Sequence, residues 1–219
     1  MGELFTHYKS RILLGFVLVI CRQMSGINAF VSELSTLLAS YADTEEIKYL
    51  TIINGLILVT SVFLIGRVSD RFGRRTLILW GSSFCVFFLL LAGIFLNISN
   101  EIVQQISFFL ISCVLCCFAF SLGPVFWVYL PEILHEEGVA LALIANEIIV
   151  TLVFFLTPFG VLYLGTSSIM FFYAGVLFLG LLYLKAYMVE TKGRTQEEIN
   201  RDFMKQKAGW TRFEYITDQ

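Results

Sequence analysis

Gly66-Arg67-Val68-Ser69-Asp70-Arg71-Phe72-Gly73-Arg74-Arg75 packs arginines and an aspartate into one short stretch, and the chain on either side of it is hydrocarbon. Before it, Ile47 to Ile65 holds a single charge, Lys48, at its far end; after it, Leu77 to Leu96 holds none. A helix that crosses a bilayer needs about 20 apolar residues. A charged link between two such runs reads as a tight turn at the membrane surface, with Gly66 and Gly73 allowing close approach or unusual backbone angles. Working outward, four more apolar runs appear: Arg11 to Leu38, Ile106 to Leu130, Val139 to Leu164 and Ile169 to Met188. The fold expected is all-α, a polytopic membrane protein with six transmembrane helices. A segment at 1–10 precedes the bundle at 11–189, and a polar tail follows at 190–219.

Composition agrees. Of 219 residues, 58% are hydrophobic and only 15% charged, with a mean hydropathy of +0.80, against about 45–50% and 25% in soluble domains. These values exclude a disordered chain and a nucleic-acid-binding domain, and argue against a soluble enzyme. The net charge of −2 says little, because the charges are confined to short stretches. The five cysteines (Cys21, Cys85, Cys113, Cys116 and Cys117) all fall in apolar runs and give no disulfide framework. The Cys113, Cys116, Cys117 spacing fits small-residue helix packing better than a metal site. No cleavable signal or transit pattern is legible, so the first span is expected to target the chain itself.

Lysine and arginine placement sets the orientation. Lys9 and Arg11, the four arginines of the link, and Lys192, Arg194, Arg201, Lys205, Lys207 and Arg212 of the tail fall on one side; Lys48 falls on the other. Both termini are therefore expected on the cytoplasmic side, or the matrix side of a mitochondrial membrane. Glu132, His135, Glu136 and Glu137 make one link acidic, and acidic residues count little in this rule. Two runs are interrupted: the first by Arg22, Gln23, Ser25, Gly26 and Asn28, the fourth by Gly123-Pro124. Each opens a group of three. Inverted three-helix repeats with matching broken helices are how many transporters build a midplane site, since freed backbone groups are tolerated only against protein or water.

The ordered G-x-x-x-D-R-x-G-R-R spacing of the link resembles the loop signature of the major facilitator superfamily. Three further stretches narrow the resemblance to its sugar porters. Arg22-Gln23-Met24-Ser25-Gly26-Ile27-Asn28-Ala29 is similar to Q-Q-x-S-G-I-N-A, Gly123-Pro124-Val125-Phe126-Trp127 with Pro131-Glu132 to G-P-x-x-W and its acidic follower, and Val189-Glu190-Thr191-Lys192-Gly193-Arg194-Thr195 to P-E-T-K-G-R-T. The resemblance spans about Lys9 to Ile199. It implies the second half of a twelve-helix transporter, a 3+3 inverted repeat, with the first half outside this chain. It also implies roles. Gln23, Asn28 and Asn54 would meet sugar hydroxyls, which amides suit because each both donates and accepts, and Trp127 would stack on the sugar. Gly66, Asp70, Arg71, Gly73, Arg74, Arg75, Glu132, Glu190 and Arg194 would form a conformational latch, with Glu132 and Glu190 pairing the loop arginines.

The departures fall on functional positions. Arg22 stands where the family has glutamine, and Ser32 and Glu33 where it has tyrosines. Phe126 replaces a small residue or proline, Val139 an arginine and Val189 a proline, and no asparagine–tryptophan pair stands on the fifth run. Charges inside membrane spans mark function or pairing; Arg22, Glu33 and Glu147 are such charges, and an Arg22 pair with Glu147 or Glu33 across the bundle is one expectation. Asn97-Ile98-Ser99 is a sequon close to the membrane. In the tail, Phe203, Trp210, Phe213, Tyr215 and Ile216 among charges suggest docking on a partner. On balance these features favour a sugar-porter-derived, non-transporting accessory subunit of a larger membrane assembly, for instance a mitochondrial respiratory complex. The alternative is half of a hexose-like sugar transporter working by alternating access, as a dimer or with a separate first half. Expected partners are the lipid bilayer, other membrane subunits or a second six-helix half, and a hexose-like solute; no nucleic acid, cofactor, metal or enzymatic activity is expected. His7 and His135 lie outside the runs, and no H-E-x-x-H occurs.

Overall fold

The computed structural model describes residues 2–30, 44–98 and 100–205. Among them the chain is helical: α1 (Gly2–Met24), α2 (Thr44–Phe72), α3 (Arg74–Leu96), α4 (Glu101–Ala119), α5 (Pro124–Ile133), α6 (Glu136–Leu164) and α7 (Thr166–Tyr187), with a short helix at 196–205 after them. Among the described residues, five segments are long and apolar enough to cross a membrane: Lys9–Phe30, Arg74–Leu96, Phe109–Ile133, Glu136–Leu164 and Thr166–Tyr187. The chain is a multi-pass membrane protein. The expected span at 47–65 falls on α2, which is not among the five.

The first run does not continue as one helix to Leu38. α1 ends at Met24, the backbone turns through Gly26 at φ +78°, and helix resumes at 27–30. Ser25 Oγ donates to the Arg22 carbonyl at 2.7 Å, and the Gly26 amide to the Gln23 carbonyl at 3.1 Å, so the break satisfies its own backbone groups as membrane depth demands. The fourth run divides likewise. Pro124 lacks the N–H needed to extend α4 and sits in the first turn of α5, where that loss is free.

The arginine-rich link is not a ten-residue loop. α2 runs through to Phe72 and α3 starts at Arg74, so the turn is Gly73 alone. Charged side chains at a helix end reach water without ending the helix, which is why charge overstated the loop.

α3 packs along α4 and α7, α1 along α6 and α7, and α2 along α4. Leu14, Leu18, Ile78, Leu89, Leu115, Leu122, Phe126 and Tyr129 fill the centre. Large apolar side chains cover the outside, among them Phe63, Phe155, Leu162 and Leu179, as expected of surfaces that face lipid or another bundle. The tail does not stand free up to residue 205. Ile199 and Phe203 are buried, and the Arg11 guanidinium lies 4.7 Å from the Phe203 ring centre. This stretch therefore docks on its own bundle; Trp210, Phe213, Tyr215 and Ile216 lie outside the described residues.

Candidate functional site

Two clusters gather the residues that the sequence marks. The first forms where α1 breaks. Gln23 and Asn146 are buried, and Asn146 lies ten residues past the start of α6, about 15 Å along the helix at 1.5 Å per residue. Asn28 Nδ2 donates to Gln23 Oε1 (2.5 Å), Gln23 Nε2 to Asn146 Oδ1 (2.6 Å) and the Arg22 guanidinium to the same oxygen (3.2 Å), while Asn146 Nδ2 donates to Glu147 Oε1 (2.9 Å). Arg22 and Glu147 thus meet through an amide. The guanidinium lies 5.1 to 5.7 Å from the ring centres of Phe126, Trp127 and Phe118, within cation–π reach. Trp127 is 47% exposed beside it. Gln23 precedes the Gly26 turn and Asn28 follows it, and their side chains meet across the break.

Asn146 is the residue that sequence reading did not assign to the site. It was visible as a polar side chain in an apolar run, but nothing local says that it centres a network reaching 123 residues back in the chain. Asn54 lies on α2 with its side chain outside the described residues, and Glu33 lies outside them entirely. A separate hollow of about 390 Å³ between α1, α6 and α7 includes Met24, Ile149, Val153, Phe172 and the hydrogen-bonded Thr157 and Tyr173. Its apolar lining suits hydrocarbon, and none of the cluster's amides lines it.

The second cluster lies at the α2–α3 turn. The Glu190 carboxylate accepts the backbone amides of Arg74 (2.9 Å) and Arg75 (3.1 Å), and those of Thr191 and Lys192 (3.1 Å each). It caps the start of α3 from beyond the last span in sequence, at a helix N-terminus where orphan amides and the helix dipole favour an anion. Gly73 has φ +89°, and a Cβ there would lie 2.5 Å from Glu190 Oε2. Glu132 pairs with Arg74 at 3.4 Å and accepts the Thr191 hydroxyl at 2.6 Å. Lys192 Nζ donates to the Arg71 carbonyl, the Arg75 guanidinium to the Lys185 carbonyl, and the buried Tyr129 hydroxyl to the Val189 carbonyl. Val139, at the position of the absent arginine, packs against the core. Arg194 sits apart, paired with Asp202. Gly66 and Asp70 fall within α2, and their side chains lie outside the described residues.

A helical membrane bundle with an amide cluster at a helix break and a carboxylate-held turn defines a polytopic membrane protein with a polar site inside its bundle. The chain belongs to the sugar (and other) transporter family, whose model matches residues 1–203. It is 28% identical to hexose transporter 1 of Plasmodium knowlesi over 193 residues, 85% of this chain and 38% of that one. It is 33% identical to the facilitated glucose transporter member 3 of solute carrier family 2 from Bos taurus over 227 residues, 97% of this chain and 44% of that one. The crystal structure of a double-tryptophan variant of XylE superposes with a TM-score of 0.73 at 25% identity, covering 88% of this chain and 42% of that one. The chain spans less than half the length of these relatives.

Proposed function

We propose that this chain forms one half of a transporter for a hexose-like solute, working by alternating access against a second bundle. The observation that carries the reading is the Asn28–Gln23–Asn146 amide chain beside Trp127: amides supply hydroxyl partners and an aromatic face supplies stacking, the two contacts a sugar needs. Family membership and the transporters named among its relatives support it. Nothing in those relatives supports the accessory-subunit reading. α2 is the sixth span in this proposal: between Lys48 and Arg67 it has no charged residue, and Ile53, Leu56, Val59 and Phe63 are exposed. The six spans pair as two inverted groups of three, with both ends and the Gly73 turn on the cytoplasmic or matrix side.

The test is sugar binding to the purified chain in lipid nanodiscs. Asn28→Ala and Trp127→Ala are expected to weaken it about tenfold or more each, the loss of roughly one good polar or stacking contact. Unchanged binding in both variants would remove the assigned site.

A further inference from the structure

We propose that the solute is a sugar bearing a carboxylate, and that Arg22 binds that carboxylate. This rests on the solute-site reading above and adds the substrate class. A guanidinium offers five N–H donors. Here the Asn146 carbonyl takes one at 3.2 Å, and the buried Nε–H has no hydrogen-bond partner among the described residues. The rings of Phe126, Trp127 and Phe118 surround the guanidinium at 5.1 to 5.7 Å, so its position is set before any ligand arrives. A neutral amide and the aromatic rings hold the charge without neutralising it, no carboxylate bonds it directly among the described residues, and a charge within a membrane span is costly. Glu147 is the acidic group acting on Arg22, but its carboxylate is exposed and bound to Asn146 Nδ2 instead.

A ligand carboxylate completes this arrangement, because it accepts two parallel N–H bonds from one guanidinium. Gln23, Asn28 and Asn146 then serve the hydroxyls. One guanidinium matches one carboxylate. A phosphate monoester carries nearly two negative charges and would meet Glu147 with no second cation among the cluster's residues, so the carboxylate is the class favoured.

The full chain in nanodiscs, titrated calorimetrically with D-glucuronate and with D-glucose, tests this. Glucuronate is expected to bind about tenfold more tightly, equivalent to about 1.4 kcal/mol. Arg22→Gln is expected to abolish that preference while retaining glucose. Glu147→Gln removes the neighbouring negative charge and is expected to tighten glucuronate; it serves should Arg22→Gln fail to fold, and weaker glucuronate binding in it would overturn the proposal. Glucose bound by the wild type as tightly as glucuronate would overturn the carboxylate and leave the sugar site standing. No binding of either sugar, by wild type or variants, would overturn both.

Discussion

Gly73 and Glu190 show how one residue's backbone decides what another can do. The glycine holds φ +89° and leaves the space in which the Glu190 carboxylate reaches two α3 amides. Gly73→Ala combines an unfavourable backbone conformation with a Cβ against that carboxylate, and is expected to destabilise by about 1–3 kcal/mol, read as a lower thermal midpoint in detergent. Because the penalty runs partly through Glu190, it should shrink in a Glu190→Ala background; equal penalties in both backgrounds would mean that the two residues act independently. Asn146 is the corresponding centre of the other cluster. Asn146→Leu leaves Gln23 buried without its acceptor, at an expected cost of about 1–3 kcal/mol, where Ile144→Leu, at an exposed position of the same helix, should cost little. Gln23, Asn28 and Glu190 were legible because short motifs contain them. Their partners were not. A carboxylate that binds main-chain amides 115 and 116 residues away leaves no mark on the amide side, since every residue but proline has an N–H.

Elements were legible wherever apolarity ended in a residue that cannot continue a helix. Gly123-Pro124 divides α4 from α5 as the residues suggest, and Gly165 turns α6 into α7. The start of α3 was legible for the same reason, while the end of α2 was not, because arginine, serine and aspartate continue a helix into water. The short helix at 196–205 carries its own start signal. Thr195 Oγ1 accepts the Glu198 amide at 3.3 Å, and Glu198 Oε2 accepts the Thr195 amide at 2.9 Å, the reciprocal pair of a capping box. The Thr195 amide, with help from Arg194 and Arg201, holds the Glu198 carboxyl below its ordinary value of 4.5. A lowered carboxyl pKa stabilises the folded state above the unfolded value, and the contribution fades as pH falls through the lowered one. Amide exchange at 196–205 should therefore be flat from pH 7 down to the region of 4.5 and rise, relative to the intrinsic rate, below it. In Glu198→Gln the acid-dependent step should vanish; its persistence would assign the step to another group.

The whole molecule is marked by polar groups on its outer face. In lipid, apolar surface gives no drive for two bundles to associate, so the exposed Phe63, Leu162 and Leu179 require no partner. Glu147 differs. It is exposed, well inside α6, in a segment long and apolar enough to span the bilayer, and a charge at bilayer depth costs about 2.5–3.5 kcal/mol on insertion scales. Half-exposed Trp127 lies near the same cluster. That face belongs against water or protein, and alternating access needs a second bundle across a water-filled cavity. Gentle extraction followed by native mass measurement is therefore expected to give a particle of twice the 24.9 kDa of one chain, or one containing a second helical bundle of another chain. Replacing Glu147 by leucine should leave that particle intact, because the charge faces the cavity and not the contact between halves. A particle of many unlike subunits would return the chain to an accessory role, with Arg22, Gln23 and Asn146 as inherited packing. A single chain alone in detergent, still binding sugar, would instead make one bundle sufficient for recognition and leave only translocation to the second.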